Sequence, residues 1–128
     1  MKITLTRESV CAADDCHAPH EKRLTVPEDT MVSDLAKTIQ RDYLPKIAGG
    51  QATWSLVTHV PVAVLAQQWR KAKILFAFDD SVAKLKQADG AVRLHVNYHA
   101  QLDPDVVLEV LKELKLETTI QHLPGGDA

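Results

Sequence analysis

Cys11, Cys16, His17 and His20 place two thiols and two imidazoles within ten residues, interleaved with Asp14 and Asp15. Zinc takes four such ligands in tetrahedral geometry. The spacing here is not a standard one, because Cys16 and His17 are adjacent and cannot easily share a chelate. A thiol of lowered pKa beside an imidazole could instead act as a nucleophile, but nothing in the sequence places an oxyanion hole near this segment. The expectation is therefore a polar loop without metal, and no cofactor. Elemental analysis of protein purified without chelator should find less than about 0.2 zinc per chain. One zinc per chain, lost when both cysteines become Ser, would reverse that reading.

The second set is Arg93, His95, Asn97 and His99, which alternate with Val92, Leu94, Val96 and Tyr98. Alternation with period two makes this the clearest strand of the chain. One face should be buried and the other polar. His95 and His99 share the polar face, but a rise of about 3.3 Å per residue holds them roughly 13 Å apart, too far to chelate one ion unaided. The plain reading of this face is the wet side of an antiparallel sheet; the sharper one is a docking surface for a protein partner, with Asp14 and Asp15 as the next candidate. Arg70, Lys71 and Lys73 form a short basic cluster, read as a solvated turn or strand edge. Phosphate-loop, nucleophile-elbow and dinucleotide motifs are absent.

These residues need elements to hold them. Ile3 and Leu5 begin a first strand, Lys2 to Thr6. Residues 11–21 follow without periodicity, as a long connection. Leu24 and Val26 start a second strand that Pro27 stops. Asp29 and Thr30 offer caps to a helix whose buried stripe is Val32, Leu35 and Ile39, ending near Leu44 because Pro45 disfavours helical geometry before it. Gly49 and Gly50 turn the chain into a strand through Trp54 and Leu56. A further strand follows Pro61 through Val62 and Val64, and Ile74 to Phe78 is a short apolar run that periodicity does not assign. Asp79, Asp80 and Ser81 open a short helix with Val82 and Leu85 inward and Gly90 at its exit. Asp103 and Pro104 start the last helix, whose apolar stripe is read as Val107, Val110, Leu111 and Leu114. Thr118 to Leu123 is a terminal strand or a loose tail. Ala replacement of Leu35 or of Leu111 should cost about 2–5 kcal/mol.

The segment Leu24-Thr-Val-Pro-Glu-Asp-Thr-Met-Val-Ser-Asp-Leu-Ala-Lys-Thr-Ile39 resembles the second strand and central helix of ubiquitin-like β-grasp proteins. The resemblance implies a mixed sheet wrapped over one helix. The long first connection and the extra helices after Trp69 depart from that pattern. Small carriers of this kind act through a C-terminal Gly-Gly, and Gly125-Gly126 is followed here by Asp127 and Ala128.

The fold expected is α+β, a mixed, mostly antiparallel sheet with a β-grasp-like N-terminal half and helices added in the C-terminal half. A chain of 128 residues suits one domain over residues 1–122, with a flexible tail at 123–128. A net charge of −2 argues against nucleic acid as partner. No apolar run is long enough to span a bilayer, and no leader-like segment follows Met1, so a cytoplasmic protein with reduced thiols is expected. The function favoured is a non-catalytic protein-binding module of the immunity or adaptor type. The alternatives are a metal- or thiol-dependent activity on the Cys11–His20 loop, and a ubiquitin-like carrier that needs C-terminal processing.

Overall fold

A computed structural model describes residues 1–8, 20–75 and 80–121, with side-chain detail in the last helix as far as Leu114. The elements run β1 (Lys2–Arg7), β2 (Lys22–Thr25), α1 (Val32–Asp42), β3 (Thr53–Val57), β4 (Pro61–Ala66), β5 (Lys73–Ile74), a 3-10 helix (Val82–Leu85), β6 (Val92–Tyr98) and α2 (Pro104–Gln121). The protein is α+β, with a six-stranded mixed sheet in the order β2-β1-β6-β3-β4-β5. The pairing of β1 with β6 is parallel, Leu5 opposite Leu94, and every other neighbouring pair is antiparallel. The segments 9–19, 76–79 and 122–128 lie outside the described residues, and with them Cys11, Asp14, Asp15, Cys16, His17, the terminal Gly-Gly and the expected tail.

α1 crosses one face of the sheet. Val32, Leu35, Ala36 and Ile39 are buried there against Ile3, Leu5, Trp54, Leu56, Leu65, Leu94 and Val96, with Val82 and Leu85 of the 3-10 helix in the same cluster. Trp54 stacks obliquely on Tyr98, ring centroids 4.6 Å apart. The helix starts without the side-chain cap expected from Asp29 or Thr30: Met31 is the N-cap residue and makes no such bond. Backbone from a distant segment takes the capping role. The Val32 N–H donates to the Asp80 carbonyl and the Val82 N–H to the Thr30 carbonyl, both at 2.8 Å, around a bridge between Met31 and Ser81. One short ladder thereby anchors two elements, and Ser81, like Met31, makes no side-chain cap bond. The helix ends at Asp42, and Gly49 and Gly50 then turn the chain with φ of +92° and +67°, the left-handed region that glycine enters without strain.

α2 packs on the opposite face, over β4. Val107 and Leu108 are buried there with Val64, and Trp69, Leu75 and Leu111 are half-buried around them. Asp103 caps the helix as its position predicts, its Oδ1 accepting the Asp105 N–H at 2.9 Å. The inward face differs from the expected stripe. It is Pro104, Val107, Leu108 and Leu111 that face the sheet, while Val110 and Leu114 are half exposed. The cause is a second apolar row on this helix: two stripes share the 3.6-residue period, and only one can lie on β4. The helix also continues to Gln121, so Thr118 to Gln121 is helical rather than strand or tail. No helix among the described residues is long and apolar enough to cross a membrane.

Candidate functional site

The polar residues of β6 lie where the alternation puts them. The strand is central, flanked by β1 and β3, so its polar face meets polar residues of both neighbours: Thr6 is opposite His95 on one side and Ser55 is opposite Asn97 on the other. Three of the four side chains are committed to neighbours within the chain. His95 Nδ1 lies 2.7 Å from Thr6 Oγ1. His99, just beyond the strand, holds Nε2 at 2.7 Å from Ser55 Oγ. Arg93 turns back to the preceding loop, where it donates to Gln87 and, at 2.7 Å, to Asp89 Oδ2. Asp89 also accepts the Ala91 N–H at 3.0 Å, and these donors, Arg93 first, hold its carboxyl below the usual range.

Ser55 and His99 have the composition of a nucleophile and its base, but not the access. Ser55 is 1% exposed, and the chain folds over it. Thr53 Oγ1 donates to the Leu102 carbonyl at 2.7 Å, and the Thr53 N–H to the Ala100 carbonyl at 2.9 Å. A hydroxyl in that position cannot meet a substrate carbonyl, so its bond to His99 satisfies a buried polar group. Burial pushes the His99 imidazole below the usual range, against the opposing pull of the Glu8 carboxylate. A depressed histidine favours the neutral form in the folded state, and the unfolded chain then takes up protons more readily. Stability is therefore full above the ordinary imidazole pKa and declines as pH falls through it. Urea midpoints should fall between about pH 7.5 and about pH 5.5, and His99→Gln should flatten that slope. An unchanged slope would assign the acid sensitivity to other groups.

The cysteine–histidine segment is represented among the described residues by His20. Its φ is +55°, and its carbonyl accepts the Tyr43 hydroxyl at the end of α1. Arg7 sits beside that tyrosine, 5.9 Å from the ring centroid. It is nine-tenths buried, its Nη1 donates to the Glu8 carbonyl, and its Nε has no acceptor among the described residues. Among the described residues no group of three His, Cys, Asp or Glu is placed to hold a metal ion.

Two features escaped the sequence reading. The first is an exposed apolar row on α2: Val106, Val110 and Leu114 are 58%, 51% and 49% exposed, and Leu102, just before the helix, is 59% exposed. The spacing of four was visible in the sequence. What was not visible was which of the two rows the sheet would cover. The second is a groove between α1 and the β4–β5 connection, where Lys37 and Arg41 meet Arg70 and Lys71. The basic run at 70–73 was legible, but its approach to α1 is a tertiary fact. No family model, curated protein or solved structure matches the chain.

Proposed function

We propose that this chain is a non-catalytic protein-binding module, of immunity or adaptor type, and that the outer face of α2 is its contact surface. The observation that carries the reading is the placement of Leu102, Val106, Val110 and Leu114. They are the large apolar side chains left exposed among the described residues; Val106, Val110 and Leu114 fall on one row of α2, and Leu102 lies just before the helix. Single exposed apolar residues are ordinary, whereas a contiguous row marks a contact site. Residues four apart form the ridge that interdigitates with the groove of another helix. The partner that suits this row is an amphipathic helix with apolar anchors at matching intervals. Asp105, Glu109 and Glu113 run beside the row, which favours basic residues along the partner's rim.

The polar face of β6 becomes the secondary surface, because His95 and His99 each commit one ring nitrogen, and Arg93 its guanidinium, to partners within the chain. A β-grasp-like fold is the reading that the sheet supports best. A hairpin followed by a crossing helix, with the first and last strands paired in parallel inside the sheet, is the arrangement that the Leu24–Ile39 resemblance implies. In that reading α2 is an addition to the grasp. A cytoplasmic location stays part of the proposal.

The test is to recover a partner from the native host with the full chain, then repeat the capture with Val106→Asp/Val110→Asp and with Arg93→Ala/His95→Ala. Loss in the first variant alone, with its fold retained, supports the α2 surface. Loss in the second alone moves the contact to β6. Turnover of a small molecule abolished by removing Cys11 or Cys16, with no partner recovered, would refute the binding-module reading.

A further inference from the structure

We propose that the groove between α1 and the β4–β5 connection is a binding site for a small phosphorylated ligand. This site lies apart from the outer face of α2 and does not depend on the partner reading. The groove encloses about 470 Å³ and runs along α1 from Ser33 to Arg41, with Arg70, Lys71 and Ala72 on its far side. That volume falls within the range of small-molecule sites. Eight helical rises, from Ser33 to Arg41, give it a length of about 12 Å.

The charge of the groove is opposite to that of the chain. Lys37, Arg41, Arg70 and Lys71 line it against one carboxylate, Asp34, in a protein of net charge −2. The distribution of ion pairs sharpens this. Lys73, third base of the 70–73 run, is turned to α2, where its ammonium lies 4.3 Å over the Trp69 ring and 3.4 Å from Asp105. Arg41 forms a fork with its neighbour Asp42, two bonds of 2.8 Å. Lys37, Arg70 and Lys71 have no ion-pair partner among the described residues. Like charges gathered in a concavity repel one another and focus the field on whatever anion enters.

The walls are firmly held. Gln40 donates to the Ala66 carbonyl at 3.0 Å and ties α1 to the end of β4. Ala36 and Ile39 bury the back of the helix, and Ala72 packs against the same core. The cationic arms therefore project from fixed backbone. Guanidinium forks match phosphate oxygens in geometry, and lysine adds a mobile point charge. Asp34, one turn before Lys37, gives the groove an acceptor at its other end, suited to a hydroxyl or amine on the ligand. A molecule with phosphate at one end and donors at the other fits this polarity better than an acidic protein segment, which would meet Asp34 as a like charge.

The experiment titrates the full-length chain, in low-salt buffer without divalent metal, with inorganic pyrophosphate and separately with adenosine triphosphate. Calorimetry gives stoichiometry and affinity, and backbone amide shifts locate the site. One site per chain is expected, with shifts centred on residues 33–41 and 70–72. Lys37→Gln/Arg70→Gln should weaken binding at least about tenfold while leaving the thermal midpoint of the free protein unchanged. Equal affinity for the two probes would place recognition in the phosphates alone; tighter binding of the nucleotide would add the Asp34 end. Either supports the proposal. No saturable binding up to about 10 mM, shifts centred elsewhere, affinity unchanged in the double variant, or tighter binding of a triaspartate peptide than of pyrophosphate would each overturn it.

Discussion

Leu35→Ala is expected to destabilise the protein by about 3 kcal/mol, and Leu111→Ala by only about 1 kcal/mol. Both leucines lie on the apolar stripe of an amphipathic helix, and sequence alone assigns them similar weight. The structure separates them. Leu35 is 1% exposed, enclosed between α1 and the sheet in the larger cluster. Its removal leaves a void that fixed strands cannot fill, so a cavity cost adds to the lost transfer energy. Leu111 is half-buried at the edge of the smaller cluster around Val64, Val107 and Leu108. Truncation there exposes surface that water can reach, and the cavity cost is small. Urea denaturation of both variants at constant m measures the difference. Equal losses would mean that α2 is held as firmly as α1.

The same contrast shows what a sequence can and cannot disclose. β6 was legible to the residue, because strict alternation over Val92–Tyr98 has no helical counterpart. α1 was legible on its buried face for the complementary reason: Val32, Leu35 and Ile39 form one stripe with polar residues elsewhere. Its N-terminus was misread, because Asp29 and Thr30 are suitable caps by type and the Asp80 carbonyl, some fifty residues on, cannot be inferred from local pattern. α2 was legible as a helix from Asp103 and Pro104. Its orientation was not, since it carries apolar residues at 104, 107, 108 and 111 and again at 106, 110 and 114. Periodicity reports that a face exists and leaves open which of two faces is covered. The candidate site shows the same limit. Arg93, His95, Asn97 and His99 were correctly placed on one polar face, but their partners Thr6 and Ser55 follow from the register of β1 and β3 against β6. That register, including a parallel pair separated by most of the chain, is a tertiary property. It turns an apparently open docking face into one largely occupied with internal hydrogen bonds.

Val107→Asp and Val110→Asp, three residues apart on α2, should have opposite consequences. Val107 is 7% exposed and sits against Val64 of β4. A carboxylate there loses hydration without gaining a donor and displaces packed methyl groups, so a loss of about 3–5 kcal/mol is expected. That is a large fraction of the stability of a typical domain. α2 should detach from the sheet, or the whole chain should unfold, with a matching fall in the urea midpoint. Val110 is half exposed on the outer row. A carboxylate at that position stays hydrated, and its effect on folding should remain within about 0.5 kcal/mol. Its effect on partner binding should be large. The row is flanked by acidic side chains, and a charge placed between Val106 and Leu114 interrupts the apolar centre where contact energy concentrates. A loss of at least about 2 kcal/mol in affinity is expected, roughly thirtyfold. Thermal melts and binding isotherms of the two variants, measured side by side, separate the outcomes. If Val110→Asp destabilises the fold as much as Val107→Asp, the outer row is covered by another part of this chain, and the contact surface lies elsewhere. If Val110→Asp retains both fold and partner, the row is exposed but unused. Only a folded variant that has lost its partner is compatible with α2 facing inward to hold the domain together and outward to recognise another protein.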